Sequence, residues 1–283
     1  MRIRDLRPLV AAEAFAIVNL GFLAVDVWLA HSTNRFERPV EWLPVGFSIA
    51  APLLLLIRAR IVGFLVGWTS VLVGVAGMVF HLQSHFFEEQ TIRNLVYTAP
   101  FIAPLAYTGI GLLLILDRMV DADSVEWAQW VVFLALGGFA GNFVLSLADH
   151  AQNGFFNRAE WVPVVAAAAG VGFLLLAALR PADALLRRVT LWLLAAEILI
   201  GMAGFLLHLR ADFARPGESL FSRLLYGAPV FAPLLFANLS LLAGIGMWGM
   251  VLSCSHGHHS PNRPEARERR EEHHSRRSSR DIS

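Results

Sequence analysis

The sequence predicts an all-α integral membrane protein whose eight transmembrane helices form two tandem, parallel four-helix-bundle repeats. Three observations carry that expectation. The chain of 283 residues is 56% hydrophobic and only 16% charged, with a mean hydropathy of +0.57. A soluble domain of this length has too little interior to hide so much apolar surface. Uncharged runs close to the roughly 20 residues that cross a bilayer recur along the chain. Finally, long stretches return in matching order.

The clearest return is His31-Ser-Thr-Asn34-Arg-Phe36-Glu-Arg-Pro-Val-Glu41-Trp42-Leu-Pro44-Val45 as His150-Ala-Gln-Asn153-Gly-Phe155-Phe-Asn-Arg-Ala-Glu160-Trp161-Val-Pro163-Val164. Every matched pair is 119 positions apart, so no gap is needed. His81-Leu-Gln-Ser-His85-Phe86 returns 127 positions later as His208-Leu-Arg-Ala-Asp212-Phe213. Tyr97-Thr-Ala-Pro100-Phe-Ile-Ala-Pro104 returns 129 positions later as Tyr226-Gly-Ala-Pro229-Val-Phe-Ala-Pro233. The halves are then 1–121 and 122–254, and an even number of spans in each makes them parallel copies.

Taken in order, the expected spans are 9–30, 42–57, 61–80, 96–116, 127–148, 161–179, 189–207 and 224–253. Pro44 and Pro163 fall in a first helical turn, where the missing N–H costs nothing, whereas Pro52 is expected to kink its helix. The charged start Met1-Arg-Ile-Arg resembles a signal-peptide n-region. The long apolar run that follows ends at His31, the counterpart of an internal histidine, so it reads as a retained span. Residues 255–283 mix Arg, Glu, Ser and His with almost no apolar side chain, which predicts a disordered cytoplasmic tail. Its Cys254/His256/His258/His259 group reads as solvated tail rather than a metal site.

Orientation follows from arginine, since all 23 basic residues are Arg. Eight spans put sixteen of them on the side of the termini and seven on the other. The positive-inside rule therefore places both termini in the cytoplasm, in a multi-pass protein of the plasma (inner) membrane. The partners expected are the lipid bilayer and other membrane subunits, and no nucleic acid. Cys254 is the only cysteine, which excludes an intrachain disulfide and a cysteine-based zinc cluster.

The chemistry-bearing residues gather at one, extracytoplasmic, edge. All five histidines outside the tail fall there, four of them in matched pairs. His31, Glu41, His81 and His85 form the expected metal set of the first half; His150, Glu160, His208 and Asp212 form that of the second. His81 and His85, four apart, share a helix face, as do His208 and Asp212. Imidazole with carboxylate suits a transition-metal ion such as Fe, Zn, Mn or Cu(II). Asp26, Asp149, Tyr97 and Tyr226 are expected to support the histidines from behind. Glu197 lies mid-span in one half only, where Ser70 is its counterpart.

The same residues admit other readings. His31 with His81, and His150 with His208, have the placement of axial ligands of haem b, with Gly74, Gly77, Gly201 and Gly204 leaving room for a macrocycle. Those glycines equally suit close helix packing. Trp42, Trp161, Glu41 and Glu160 also fit ordinary interfacial anchors and charged helix starts. A non-catalytic membrane subunit or a transporter is the reading from another class, although a transporter is expected to carry polar residues along its whole path. The ion could serve redox chemistry or metal-assisted hydrolysis, and no nucleophile, phosphate-loop or nucleotide motif selects a reaction.

Overall fold

The computed structural model describes residues 7–216 and 219–257, with side chains as far as Ser253. Among the described residues every regular element is helical. In order they are α1 (Pro8–Ser32), α2 (Trp42–Leu55), α3 (Arg60–Leu82), α4 (Ile92–Tyr97), α5 (Leu105–Met119), α6 (Val125–Gln152), α7 (Trp161–Leu179), α8 (Ala184–Phe213), α9 (Leu220–Tyr226) and α10 (Leu234–Gly257). Among the described residues, six stretches are long and apolar enough to cross a membrane: α1, α3, α6, α7 with its preceding turn, α8, and α10 as far as Ser253. The 14 residues of α2 and 15 of α5 extend only about 21–23 Å. The Met1–Leu6 stretch and residues 258–283, with the His258 and His259 of the Cys254 group, lie outside the described residues, while 255–257 of the expected tail continue α10. The side chains of Cys254 and His256 also lie outside them.

Helix starts follow the local chemistry. Ser124, Asp183, Thr91 and Ser219 each accept a hydrogen bond from a backbone N–H three residues ahead, which satisfies one of the donors a helix start leaves free. The expected spans 96–116 and 224–253 begin too early. In each, a short helix stops at Tyr97 or Tyr226, the Ala-Pro-x-x-Ala-Pro stretch turns, and the long helix resumes at Leu105 or Leu234. A residue preceding proline avoids the helical region, and proline has no N–H to continue the ladder. Two prolines four residues apart therefore break the helix.

Contacts close into two sets. In one, α1 packs on α2 and α5, and α3 on α2 and α5. In the other, α6 packs on α7 and α10, and α8 on α7 and α10. Between the sets, α1 meets α10 and α9, while α6 meets α5 and α4. Phe22 and Phe231 face edge-on across the first junction at 5.1 Å, and Gln152 donates to the Val96 carbonyl across the second at 2.6 Å.

Glycines make the tightest seams. A Cβ at Gly74 would lie 2.8 Å from the Pro104 oxygen, and one at Gly201 2.7 Å from the Pro233 oxygen. At Gly77 and Gly204 it would stand 2.8 Å from Cβ of Pro104 and Pro233 respectively. These four glycines receive the start of the neighbouring helix, α5 or α10. At the opposite edge, Arg118 pairs with Glu13 at 3.1 Å, its carbonyl accepts from Arg60, and Trp127 donates to Asp117 at 2.9 Å. That cluster ties α1, α3, α5 and α6 together.

Candidate metal centre

Each His–Glu loop is built by one local device. The helix ahead of it ends at Ser32 or Gln152, and the chain reverses through left-handed residues: Arg35 and Phe36 (φ 58° and 53°) in one copy, Gly154 and Phe155 (69° and 49°) in the other. The Phe36 N–H returns to the His31 carbonyl and the Phe155 N–H to that of His150. A left-handed phenylalanine is costly on its own. Here its ring is held, stacked on Trp42 at 4.0 Å and on Trp161 at 4.1 Å, nearly parallel in both copies. The tryptophans are half exposed at the edge, yet they also clasp the loop that carries the histidine.

Folded this way, the loop turns Glu41 back to His31 and Glu160 back to His150. Oε2 of each glutamate lies 3.6 Å from Nδ1 of its histidine. The agreement extends to exposure: 22% and 12% for the His31 and Glu41 side chains, 21% and 11% for His150 and Glu160. Both Oε2 atoms are buried and accept no hydrogen bond. In the first copy, Asn34 donates to the other oxygen, Oε1 of Glu41, at 3.2 Å.

The second imidazole comes from α3 or α8. His81 Nδ1 lies 2.9 Å from the Pro100 carbonyl, and His208 Nδ1 lies 3.0 Å from that of Pro229. A carbonyl can only accept, so Nδ1 carries the proton in both rings and Nε2 keeps its lone pair. The ring centroids of His31 and His81 are 6.1 Å apart, edge to face. His81 is also within electrostatic reach of Glu41, and His208 of both His150 and Asp149. The first proline of each Ala-Pro-x-x-Ala-Pro stretch thus orients a histidine, and the second seats the helix against Gly77 or Gly204.

His31, Glu41 and His81 are therefore neighbours; in the other half His150 and Glu160 are, with His208 within electrostatic reach of His150. Among the described residues, no group of three His, Cys, Asp or Glu side chains is placed so that it could hold a metal ion as it stands. The remaining expected ligands lie elsewhere. His85 is exposed and faces Glu88 at 3.9 Å. Asp212 is buried, and its Oδ1 accepts from the Ala228 N–H at 2.8 Å. The residue that does this in the first copy is Ser84, whose Oγ accepts from the Ala99 N–H at 3.0 Å. The His85–Asp212 match fails in space because α3 ends at Leu82, whereas α8 runs on to Phe213.

Asp149 keeps its expected place beside a histidine. Asp26 instead lies within reach of Tyr107, whose hydroxyl bonds Ser48 at 2.6 Å. Tyr97 and Tyr226 are half exposed, at 55% and 52%, and end the short helices. Three features had gone unassigned in the sequence: the Phe36 and Phe155 rings, the carbonyls of Pro100 and Pro229, and Ser84. For the first two, identity between the copies was the available signal. Compared with family models, curated proteins and solved structures, the chain matches none.

Proposed function

We propose that this chain is a multi-pass membrane metalloprotein that binds a transition-metal ion in each half: at His31, Glu41 and His81, and at His150, Glu160 and His208. One observation carries the reading. In both copies a buried glutamate oxygen without a hydrogen bond lies 3.6 Å from an imidazole nitrogen, with a second imidazole against the first in one copy and within electrostatic reach of it in the other. A buried carboxylate oxygen left without a partner is costly, and an ion between it and the imidazoles removes that cost. The carbonyl-held Nδ1 of His81 and His208 leaves Nε2 directed for coordination, the usual support for a metal-bound histidine. Two nitrogens and one oxygen suit Zn, Fe, Mn or Cu(II).

The ion, rather than haem, is favoured because Gly74, Gly77, Gly201 and Gly204 receive a neighbouring helix, where a macrocycle would need open space. With one oxygen committed to Asn34 and the other to the ion, Glu41 acts as a ligand and not as a general base. The architecture in this reading is eight spans in two parallel four-helix repeats. The two closed contact sets support it, as does the exchange in which α1 packs on α10 while α6 packs on α5. Both termini are cytoplasmic, which puts the histidines at the outer face of the plasma membrane.

Elemental analysis of detergent-purified protein tests the metal reading, with a His81→Ala/His208→Ala variant beside it. Two equivalents of one transition metal in the wild type, lost in the variant, are expected. A metal-free wild type that takes up no added Zn2+, Fe2+, Mn2+ or Cu2+ refutes the proposal. Orientation is read from a cysteine placed at Ser32 in a Cys254→Ser background. Labelling only from the cytoplasmic side overturns the topology.

A further inference from the structure

Four positions form one stripe on α8: Glu197, Gly201, Gly204 and His208. Their spacings of four, three and four keep them on a single helical face. On α3 the same spacing joins Ser70, Gly74, Gly77 and His81. The glycines of each stripe seat the following helix, and the histidine reaches the proline carbonyl at the outer edge. The inner end of the stripe differs between the copies. Ser70 donates to the Tyr107 carbonyl at 2.7 Å and is satisfied. Glu197 is wholly buried, and neither of its carboxyl oxygens has a hydrogen-bond partner.

Across the seam from Glu197 stands a second polar atom without a partner. Gly201 faces Pro233, Phe236 and Ala237, and α8 and α10 run antiparallel. One turn further in, Glu197 is therefore level with Ser240, which is 2% exposed and whose Oγ also lacks a partner. No charged side chain faces this level. The helix α7 contains no titratable residue, α10 contains none between Leu234 and Ser253, and α8 carries none between Arg188 and His208 except Glu197. Arg223 of α9 sits at the outer edge. An ionised carboxylate here would have no counter-ion from α7, α8 or α10, at a cost far above that of the neutral acid.

We propose that Glu197, with Ser240, is a proton-binding site within the membrane on the α8–α10 seam. It lies about 16 Å along α8 from His208 and is present in one half only. The site takes up and releases one proton: the neutral acid holds it on a carboxyl oxygen, and on release a side-chain rotation lets the carboxylate accept from the Ser240 hydroxyl, a bond not formed in this structure. Because only Glu197 titrates at this level, its proton state answers to no neighbouring charge. The inference does not depend on metal binding, since its residues and its readouts are separate.

The test uses the full chain in lipid bilayers. Infrared difference spectra of wild type minus Glu197→Gln are expected to show one carboxylic-acid carbonyl stretch at neutral pH, shifted down in D2O. The stretch should be absent in Glu197→Ser, which carries the first half's residue and provides a second variant if the Gln form does not fold. Dicyclohexylcarbodiimide, which reacts with protonated carboxyls from the lipid side, is expected to label Glu197, with labelling falling as pH rises. No acid carbonyl attributable to Glu197 at any pH overturns the proposal. Protection from the carbodiimide by Na+ at constant pH also overturns it, because the site then holds an alkali cation.

Discussion

Replacing Gly204 by Ala tests whether helix packing sets the proposed metal site. The added Cβ would stand 2.8 Å from Pro233 Cβ and 3.3 Å from its Cγ. Apolar carbons rest at about 3.5–4.0 Å, so the start of α10 must retreat by roughly 0.7 Å or more. Overpacking of this kind costs about 1–3 kcal/mol, and the helical preference of Ala over Gly returns about 1 kcal/mol. The net loss is then about 0–2 kcal/mol, a fall in Tm of up to about 8 °C for a chain of this size. The site should suffer more than the fold. Pro229 lies in the same turn as Pro233, and its carbonyl is 3.0 Å from His208 Nδ1, so the same retreat takes that contact beyond hydrogen-bonding distance. Loss of the group that orients a metal-bound histidine lowers affinity about 10–100-fold. Zn2+ affinity by competition with a chromophoric chelator, measured beside Tm, reads both effects. Gly244→Ala, where nothing lies within 4 Å, serves as the control and should match wild-type affinity. A folded Gly204→Ala protein that binds Zn2+ as tightly as wild type would refute the link between the seam and the site.

Other outcomes follow from the same geometry. Glu41→Gln and Glu160→Gln should each weaken Zn2+ binding by about tenfold or more while the protein stays folded, as read by chelator competition and circular dichroism. His85→Ala should leave metal stoichiometry unchanged, because that ring is exposed and faces Glu88. Tyr107→Phe alone strands the buried Ser48 hydroxyl and should cost about 1–3 kcal/mol. Ser48→Ala/Tyr107→Phe copies the Ala167/Phe236 pair of the second half and should recover most of that loss in thermal melts. Trp161→Ala removes the ring stacked on Phe155, and should lower stability by at least about 0.5–1.5 kcal/mol.

Much of this architecture was legible because it depends on local properties. Uncharged runs marked α1, α3, α6 and α7 to within about four residues, and α8 to within six, since a helix in lipid must be apolar over its length. The repeated His, Glu, Phe and Trp marked a loop worth building twice, and the structure brings His31 to Glu41 and His150 to Glu160 within that loop. His85 and Asp212 do not occupy matching places because a four-residue spacing shares a face only while the helix lasts. It ends at Leu82 in one copy and continues through Asp212 in the other.

By itself, then, the sequence determined the helical, membrane-compatible character of the chain, the positions of five of its long helices and the two His–Glu loops. All of these are short-range consequences of hydropathy, proline and left-handed backbone. Only the tertiary structure decided which imidazoles meet. It also decided that the Pro100 and Pro229 carbonyls orient His81 and His208, that the four glycines seat helices, and that Glu197 is left without a partner. Each of these depends on the depth at which α3 meets α5 or α8 meets α10. That depth is set by the fit of glycine against proline across the seam, which no single segment contains.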